Sequence, residues 1–235
     1  MIGFLNAYHF DTTAGSYQEK YEPIFLKYLQ RILPQETIKT YQVAQGDFPN
    51  DINECAAWII GGSPMSAYEN ESWLKDLETF FLECHKNKKK VLGICFGHQL
   101  IAQALGGKVE RSDKGWGIGV REFKILKEKK WMNSPKLEKC SLLFSHQDQV
   151  TELPEEATIL AQDDFCKIQM YCVDNHVFSI QGHPEFTRAY AKERYDSRKE
   201  NISPSTYEKA INSLMDLTHE DQVGKWIAQF FTYKK

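Results

Sequence analysis

Residues 90–100 read Lys-Val-Leu-Gly93-Ile94-Cys95-Phe96-Gly97-His-Gln99-Leu. A β-branched, apolar run enters the first glycine and a helical pattern leaves the second, so Cys95 is confined to a tight strand-to-helix turn. Such a turn strains the backbone of its central residue and leaves no room for side chains two positions away, which calls for glycine at 93 and 97. It also sets Cys95 at a helix N-terminus, where free N–H groups and the positive dipole end favour a thiolate and can hold an oxyanion. The alternative, a buried structural cysteine beside packing glycines, accounts for the thiol but for neither flanking element.

The elbow sits in a chain that alternates strand and helix. Strand patterns cover residues 2–6, 37–43, 56–60 and 90–94, and amphipathic helical patterns cover 17–33, 73–85 and 97–105. Pro34 closes the first helix and Gly106-Gly107 the third. From residue 108 to 181 short runs at 119–125, 141–144, 168–173 and 177–181 lie between turn residues, a strand-rich second half. After Pro184 the chain turns helical again, with capping signals at Ser203-Pro204 and at Ser205 three residues before Glu208. The βαβ alternation predicts an α/β fold with an open, mostly parallel sheet covered by helices on both faces.

Composition narrows the function classes. Of 235 residues, 42% are hydrophobic and 26% charged, which supports a real core and excludes a disordered chain. A net charge of −3 gives no bulk electrostatic reason to expect nucleic acid or an anionic membrane. No run of 18 uncharged apolar residues occurs, and the N-terminus reads as a strand without a basic leader, so neither a membrane span nor a signal peptide is expected. The six cysteines contain no Cys-x-x-Cys pair and are read as reduced thiols of a cytoplasmic protein. No metal-ligand spacing stands out, and no cofactor is implied.

A thiolate nucleophile needs a base and a group that orients it. His183-Pro184-Glu185 follows a predicted strand. Pro184 biases His183 toward extended backbone, and residues two apart in extended chain share a face, so Glu185 can hold the imidazole while His183 serves Cys95. His98 and His146 flank the same motifs and are read as hydrogen-bonding histidines. A hydrolase-type acid at Asp148, Asp163 or Asp174 is the rival to Glu185.

At these residues the chain resembles the class I, triad-type glutamine amidotransferases, in the branch similar to GMP synthetase. Gly93, Cys95, Gly97 and Gln99 match the family's elbow, and His183, Pro184 and Glu185 its later His-Pro-Glu. Ile59-Ile60-Gly61-Gly62-Ser63-Pro64 is similar to its glycine-rich oxyanion strand, and Ser145-His146-Gln147-Asp148-Gln149-Val150 to its glutamine-positioning loop. Gly115-Trp116-Gly117-Ile118-Gly119 resembles the segment between them. Gln147 stands where many relatives have glycine, and Ser63 where many have proline.

The resemblance covers residues 1–187 as one amidotransferase-like domain and leaves 188–235 as its helical C-terminal extension. It implies a flavodoxin-like fold and a cysteine amidase that attacks the side-chain amide of glutamine through a γ-glutamyl thioester. Cys95, His183 and Glu185 would be catalytic, the N–H groups of Gly62 and Phe96 the oxyanion hole, and Gln99, Ser145, Gln147 and Asp148 the substrate-binding residues. The family usually hands ammonia to a synthetase, which here would be a separate acceptor enzyme. The same chemistry without channelling would make a free-standing γ-glutamyl peptidase, and a silent binding protein on this fold is the third reading. The C-terminal apolar stripe of Trp226, Ile227, Phe230 and Phe231 is assigned to core or homodimer packing.

Overall fold

The computed structural model describes residues 1–8, 19–132, 134 and 136–233. The first half follows the predicted alternation: β1 (Ile2–Leu5), α1 (Tyr21–Ile32), β2 (Ile38–Tyr41), β3 (Ala57–Ile60), α2 (Ser72–Lys86), β4 (Lys90–Ile94) and α3 (Phe96–Ala104). The second half adds β5 (Lys108–Arg111), β6 (Gly117–Ile125), β7 (Lys139–His146), β8 (Asp148–Glu152), β9 (Ala157–Gln162), β10 (Met170–Val173) and β11 (Val177–Ile180). Three helices close the chain: α4 (Arg188–Asp196), α5 (Pro204–Ser213) and α6 (Glu220–Thr232).

Nine strands form one sheet in the order β2-β1-β3-β4-β11-β10-β9-β6-β7, and β5 pairs with β8 in a separate ribbon. The strands from β2 to β11 pair in parallel. Beyond β11 every pairing is antiparallel. The mostly parallel core is therefore joined to an antiparallel half, built where the connections shorten from helical crossovers to hairpins and loops.

Side chains alternate across the sheet as the period of two demands. Phe4, Ile59, Leu92, Ile94, Phe178 and Ile180 point into one core, which α1, α4, α5 and α6 cover. Leu5, Trp58, Ile60, Val91 and Val177 point into the other, against α2 and α3. The tail is thus part of the first core: Tyr190, Tyr195, Trp226, Ile227 and Phe230 are all buried in it.

Boundaries differ from the sequence reading where tertiary pairing decides them. The expected helix at 17–33 is seen as Tyr21–Ile32, with positions 17 and 18 outside the described residues. The short strand at 141–144 extends to Lys139–His146, because its hairpin with β6 runs from Gly117↔His146 to Lys124↔Lys139. Ser203 caps α5 by accepting the Thr206 N–H with Pro204 in the first turn, so Ser205 lies inside the helix and is not its cap. Among the described residues no helix is long and apolar enough to cross a membrane.

Candidate active site

Three neighbouring parallel strands, β3, β4 and β11, end at the same edge of the sheet. They release Gly61-Gly62, Cys95 and the 181–186 segment there, in the crevice beyond the strand carboxyl ends where open α/β sheets bind ligands.

Cys95 is the N-cap of α3, with φ +53° and ψ −99°, a conformation that L-residues rarely adopt. The turn is pinned from both sides, since Cys95 N–H donates to the Ile180 carbonyl at 2.9 Å and Gly97 N–H to that of Gly61 at 3.1 Å. A Cβ on Gly97 would lie 2.2 Å from the Ile60 carbonyl oxygen, and one on Gly93 would lie 2.7 Å from that of Gly97. Both glycines are therefore steric requirements of the turn.

His183 is fixed by its N–H bond to the Leu143 carbonyl at 2.8 Å, which ties the segment after β11 to β7. Its Nδ1 lies 2.7 Å from Glu185 Oε1, and both side chains are buried. Its ring stacks on Phe186 with centroids 3.8 Å apart and planes within 12°. Cys95 acts electrostatically on the same imidazole. Burial disfavours the imidazolium, but the Glu185 carboxylate and Cys95 together outweigh it and raise the His183 pKa to about 9. The rival acids are placed elsewhere: Asp163 pairs with Arg121 and Asp174 with Lys88. Asp148 binds Ser66 and Tyr68.

The remaining histidines near the motifs are neutral. Burial pushes His98 down to about 3 and His146 likewise to about 3. His98 Nδ1 is 2.7 Å from Ser179 Oγ, and His146 Nδ1 is 2.9 Å from the Asp148 carbonyl.

Cys95 opens onto a cavity of about 110 Å3. Gln99, Ser145, Gln147 and Asp148, all anticipated from sequence, line it. Gln99 does so while donating to the Asp148 carbonyl at 2.8 Å and to Gln181 Oε1 at 3.1 Å, which anchors the loop carrying Asp148. The Ser145 hydroxyl is buried on the cavity wall with no protein partner. A larger cavity of about 710 Å3 lies against His183 and Glu185 between α1 and the tail, and Cys95 does not line it.

Two neighbours of the site carry no sequence signal. Tyr21, at the start of α1, accepts the Gly62 N–H at 2.6 Å, so the amide expected to be free for an oxyanion is engaged by a phenol. Burial, reinforced by Glu185, pushes Tyr21 well above the usual phenol range, which keeps it a neutral hydroxyl. The other is Arg198, just past α4, which reaches the cavity beside Trp116 with its guanidinium carbon 5.0 Å from the ring centroid. Among the described residues no group of three or more His, Cys, Asp or Glu side chains could hold a metal.

Known proteins resemble this chain in sequence and in fold. The family model for class-I glutamine amidotransferases matches residues 28–199. Gamma-glutamyl peptidase 3 of Arabidopsis thaliana is 37% identical over 155 residues, 63% of this chain, and the match spans only 62% of that relative's length. Gamma-glutamyl peptidase 2 of the same plant is 32% identical over 188 residues, 77% of this chain and 76% of the relative. The crystal structure of a glutamine amidotransferase from Thermotoga maritima superposes with a TM-score of 0.76 over 99% of this chain and 98% of that one, at 18% identity. The chain belongs to the class I glutamine amidotransferase family.

Proposed function

We propose that the chain is a cysteine-dependent hydrolase of γ-glutamyl amide bonds that acts by itself on γ-glutamyl peptides. The observation that carries this reading is the His183 imidazole held by Glu185 at 2.7 Å and electrostatically coupled to Cys95, which lines a cavity of about 110 Å3. Ligand pockets for drug-sized molecules run to about 300–1,000 Å3. This one suits a single glutamyl group and leaves the departing amine outside. Relatives named as γ-glutamyl peptidases support the substrate class.

In the proposed sequence the thiol proton resides on His183, and the Cys95 sulfur attacks the γ-carbonyl carbon. The carbonyl oxygen becomes an oxyanion facing the N–H of Phe96 and, once Tyr21 yields it, that of Gly62. Removing one such donor typically lowers the rate by about two to three orders of magnitude. The C–N bond then breaks as His183 returns the proton to the leaving amine, and a γ-glutamyl thioester remains. Water, deprotonated by His183, opens the thioester to glutamate and restores the thiol. Glu185 holds the imidazole in orientation and stabilises its charged form throughout.

The family model favours a second reading in which the amide is that of glutamine and the amine is ammonia, destined for a separate acceptor enzyme. Purified protein assayed on γ-glutamyl dipeptides and on glutamine separates the two. Partner-free turnover of the dipeptides, lost in Cys95→Ala, is the expected result. Turnover of glutamine alone would replace the peptidase reading with the glutaminase one, and inactivity on both would overturn it.

A further inference from the structure

The cavity of about 710 Å3 behind His183 and Glu185 takes no part in the chemistry above. Its apolar walls are Ile24 and Tyr28 of α1, Leu142 and Leu143 of β7, and Phe186. The volume lies in the range of about 300–1,000 Å3 that receives drug-sized groups. Phe186 is also the ring stacked on the His183 imidazole at 3.8 Å, so whatever fills the cavity touches the residue that backs the imidazole.

A projecting counterpart lies on the rim. Met215 and Leu217, in the loop from α5 to α6, are 87% and 74% exposed, whereas the next large apolar side chain among the described residues, Leu126, is at 48%. Thr218 of the same loop lines the cavity. Single apolar residues scattered over a surface need no explanation, but a neighbouring pair beside an apolar cavity marks an interaction surface. The loop is firmly held. His219 N–H donates to the Ser141 carbonyl at 2.8 Å, and Ser141 N–H donates to His219 Nδ1 at 3.0 Å. Arg188 donates to the carbonyls of Leu214 and Asp216. A loop ordered in this way presents its side chains at little further cost in conformational entropy.

We propose that a second copy of this chain covers both features, with Met215 and Leu217 of each protomer seated in the cavity of the other. A two-fold dimer requires one patch to carry both halves of its own complement, and here the knob and the hole are neighbours. The charges obey the same rule. Asp216 lies between the two apolar residues of the knob, and the exposed Lys27 lies on the α1 wall of the hole, so the two-fold brings each Asp216 to Lys27 of the partner subunit. The other cations of the rim are engaged within the chain, Arg31 by Asp221 and Arg188 by the two loop carbonyls. The seated side chains abut Phe186 and so back the His183 imidazole. The association goes beyond the γ-glutamyl reading, and only its effect on turnover rests on that reading.

The test measures the mass of the full chain by light scattering over a dilution series, with kcat for a γ-glutamyl dipeptide at each concentration. Wild type is expected as a dimer that dissociates on dilution. Leu217→Asp changes a side chain exposed in the single chain, so the fold should persist, which circular dichroism checks. In the dimer the substitution acts at two symmetric sites, and withdrawing an apolar side chain from each should raise Kd by about 100-fold or more. Lys27→Glu should also weaken the dimer, and Lys27→Glu combined with Asp216→Lys should restore it, which damage to the fold would not do. Turnover should fall as the dimer dissociates and recover in the charge-swapped protein. A wild type that stays monomeric throughout overturns the proposal and leaves the cavity to a small apolar ligand or a different protein. A dimer that survives Leu217→Asp, or that the charge swap fails to restore, overturns this face. Unchanged kcat on dissociation overturns the link to His183. A dimer with no turnover of any γ-glutamyl compound would count against the peptidase reading alone, since the mass does not depend on it.

Discussion

The two walls of the Cys95 cavity are built in opposite ways. The elbow wall comes from one stretch, residues 93–99, whose strained turn needs Gly93 against its own Gly97 carbonyl and Gly97 against the Ile60 carbonyl of β3. The tail wall is assembled at long range: Arg198 meets Trp116 from 82 residues away in sequence, and Tyr195 meets Phe144 from 51. Local construction fixes Cys95 within one turn. Long-range construction makes the opposite wall depend on the whole fold. Variants of the elbow should therefore change chemistry, and variants of the tail wall should change which substrates are held.

The largest break on the elbow side is Cys95→Ala. Loss of a nucleophile in such a unit lowers turnover by about four orders of magnitude or more, while the melting temperature should stay close to wild type. A variant that kept substantial activity would move the chemistry away from the elbow.

Next comes Glu185→Gln, expected to lower kcat by about two to four orders of magnitude through the loss of imidazole orientation. The pH profile adds a signature. His183 is held protonated up to about 9 because Glu185 and Cys95 stabilise the imidazolium. The alkaline limb of kcat/KM should thus lie near 9 in wild type and move to lower pH in Glu185→Gln. The same pair bears on stability. His183 binds its proton more tightly in the folded protein, at about 9, than an ordinary histidine at 6.5, so the pair's contribution is fully present below pH 6.5 and is lost as pH rises toward about 9. Unchanged limbs in the two proteins would detach Glu185 from the histidine.

Gly97→Ala tests the turn itself. Its Cβ would meet the Ile60 backbone, which has little room to move, and overpacking of this kind destabilises by about 1–3 kcal/mol, readable as a lower denaturant midpoint. A neutral result would show that the elbow is looser than its geometry.

The smallest expected effect is a gain. In Tyr21→Phe the Gly62 N–H loses a hydrogen bond of about 1 kcal/mol that must otherwise break before an oxyanion can use it, so kcat should rise about fivefold. A fall would assign the phenol a supporting part in catalysis.

Legibility in the sequence follows the same division. Gly93, Cys95 and Gly97 are readable because they fall within one short turn motif, and β1, β3 and β4 because parallel strands buried on both faces are short continuous apolar runs. His183 and Glu185 are two apart in one extended segment, so their pairing is readable as well. The ribbon of β5 and β8 is not, since Lys108–Arg111 and Asp148–Glu152 are mostly polar and acquire their strand character from each other. Tyr21 and Arg198 are equally silent. An aromatic at a helix start and an arginine after a polar helix have no local pattern that distinguishes them, and only the packing of α1 and α4 on the first core brings them to the site. Of the six cysteines, all buried, only Cys95 lines the cavity.

The most direct test of the account is to quench the enzyme with acid during turnover of a γ-glutamyl dipeptide and weigh the intact protein. The account predicts a fraction heavier by one glutamyl group, mapped to the peptide containing Cys95 and absent from Cys95→Ala. Hydrolysis that proceeds with the adduct on another residue, or that persists in Cys95→Ala, would contradict it.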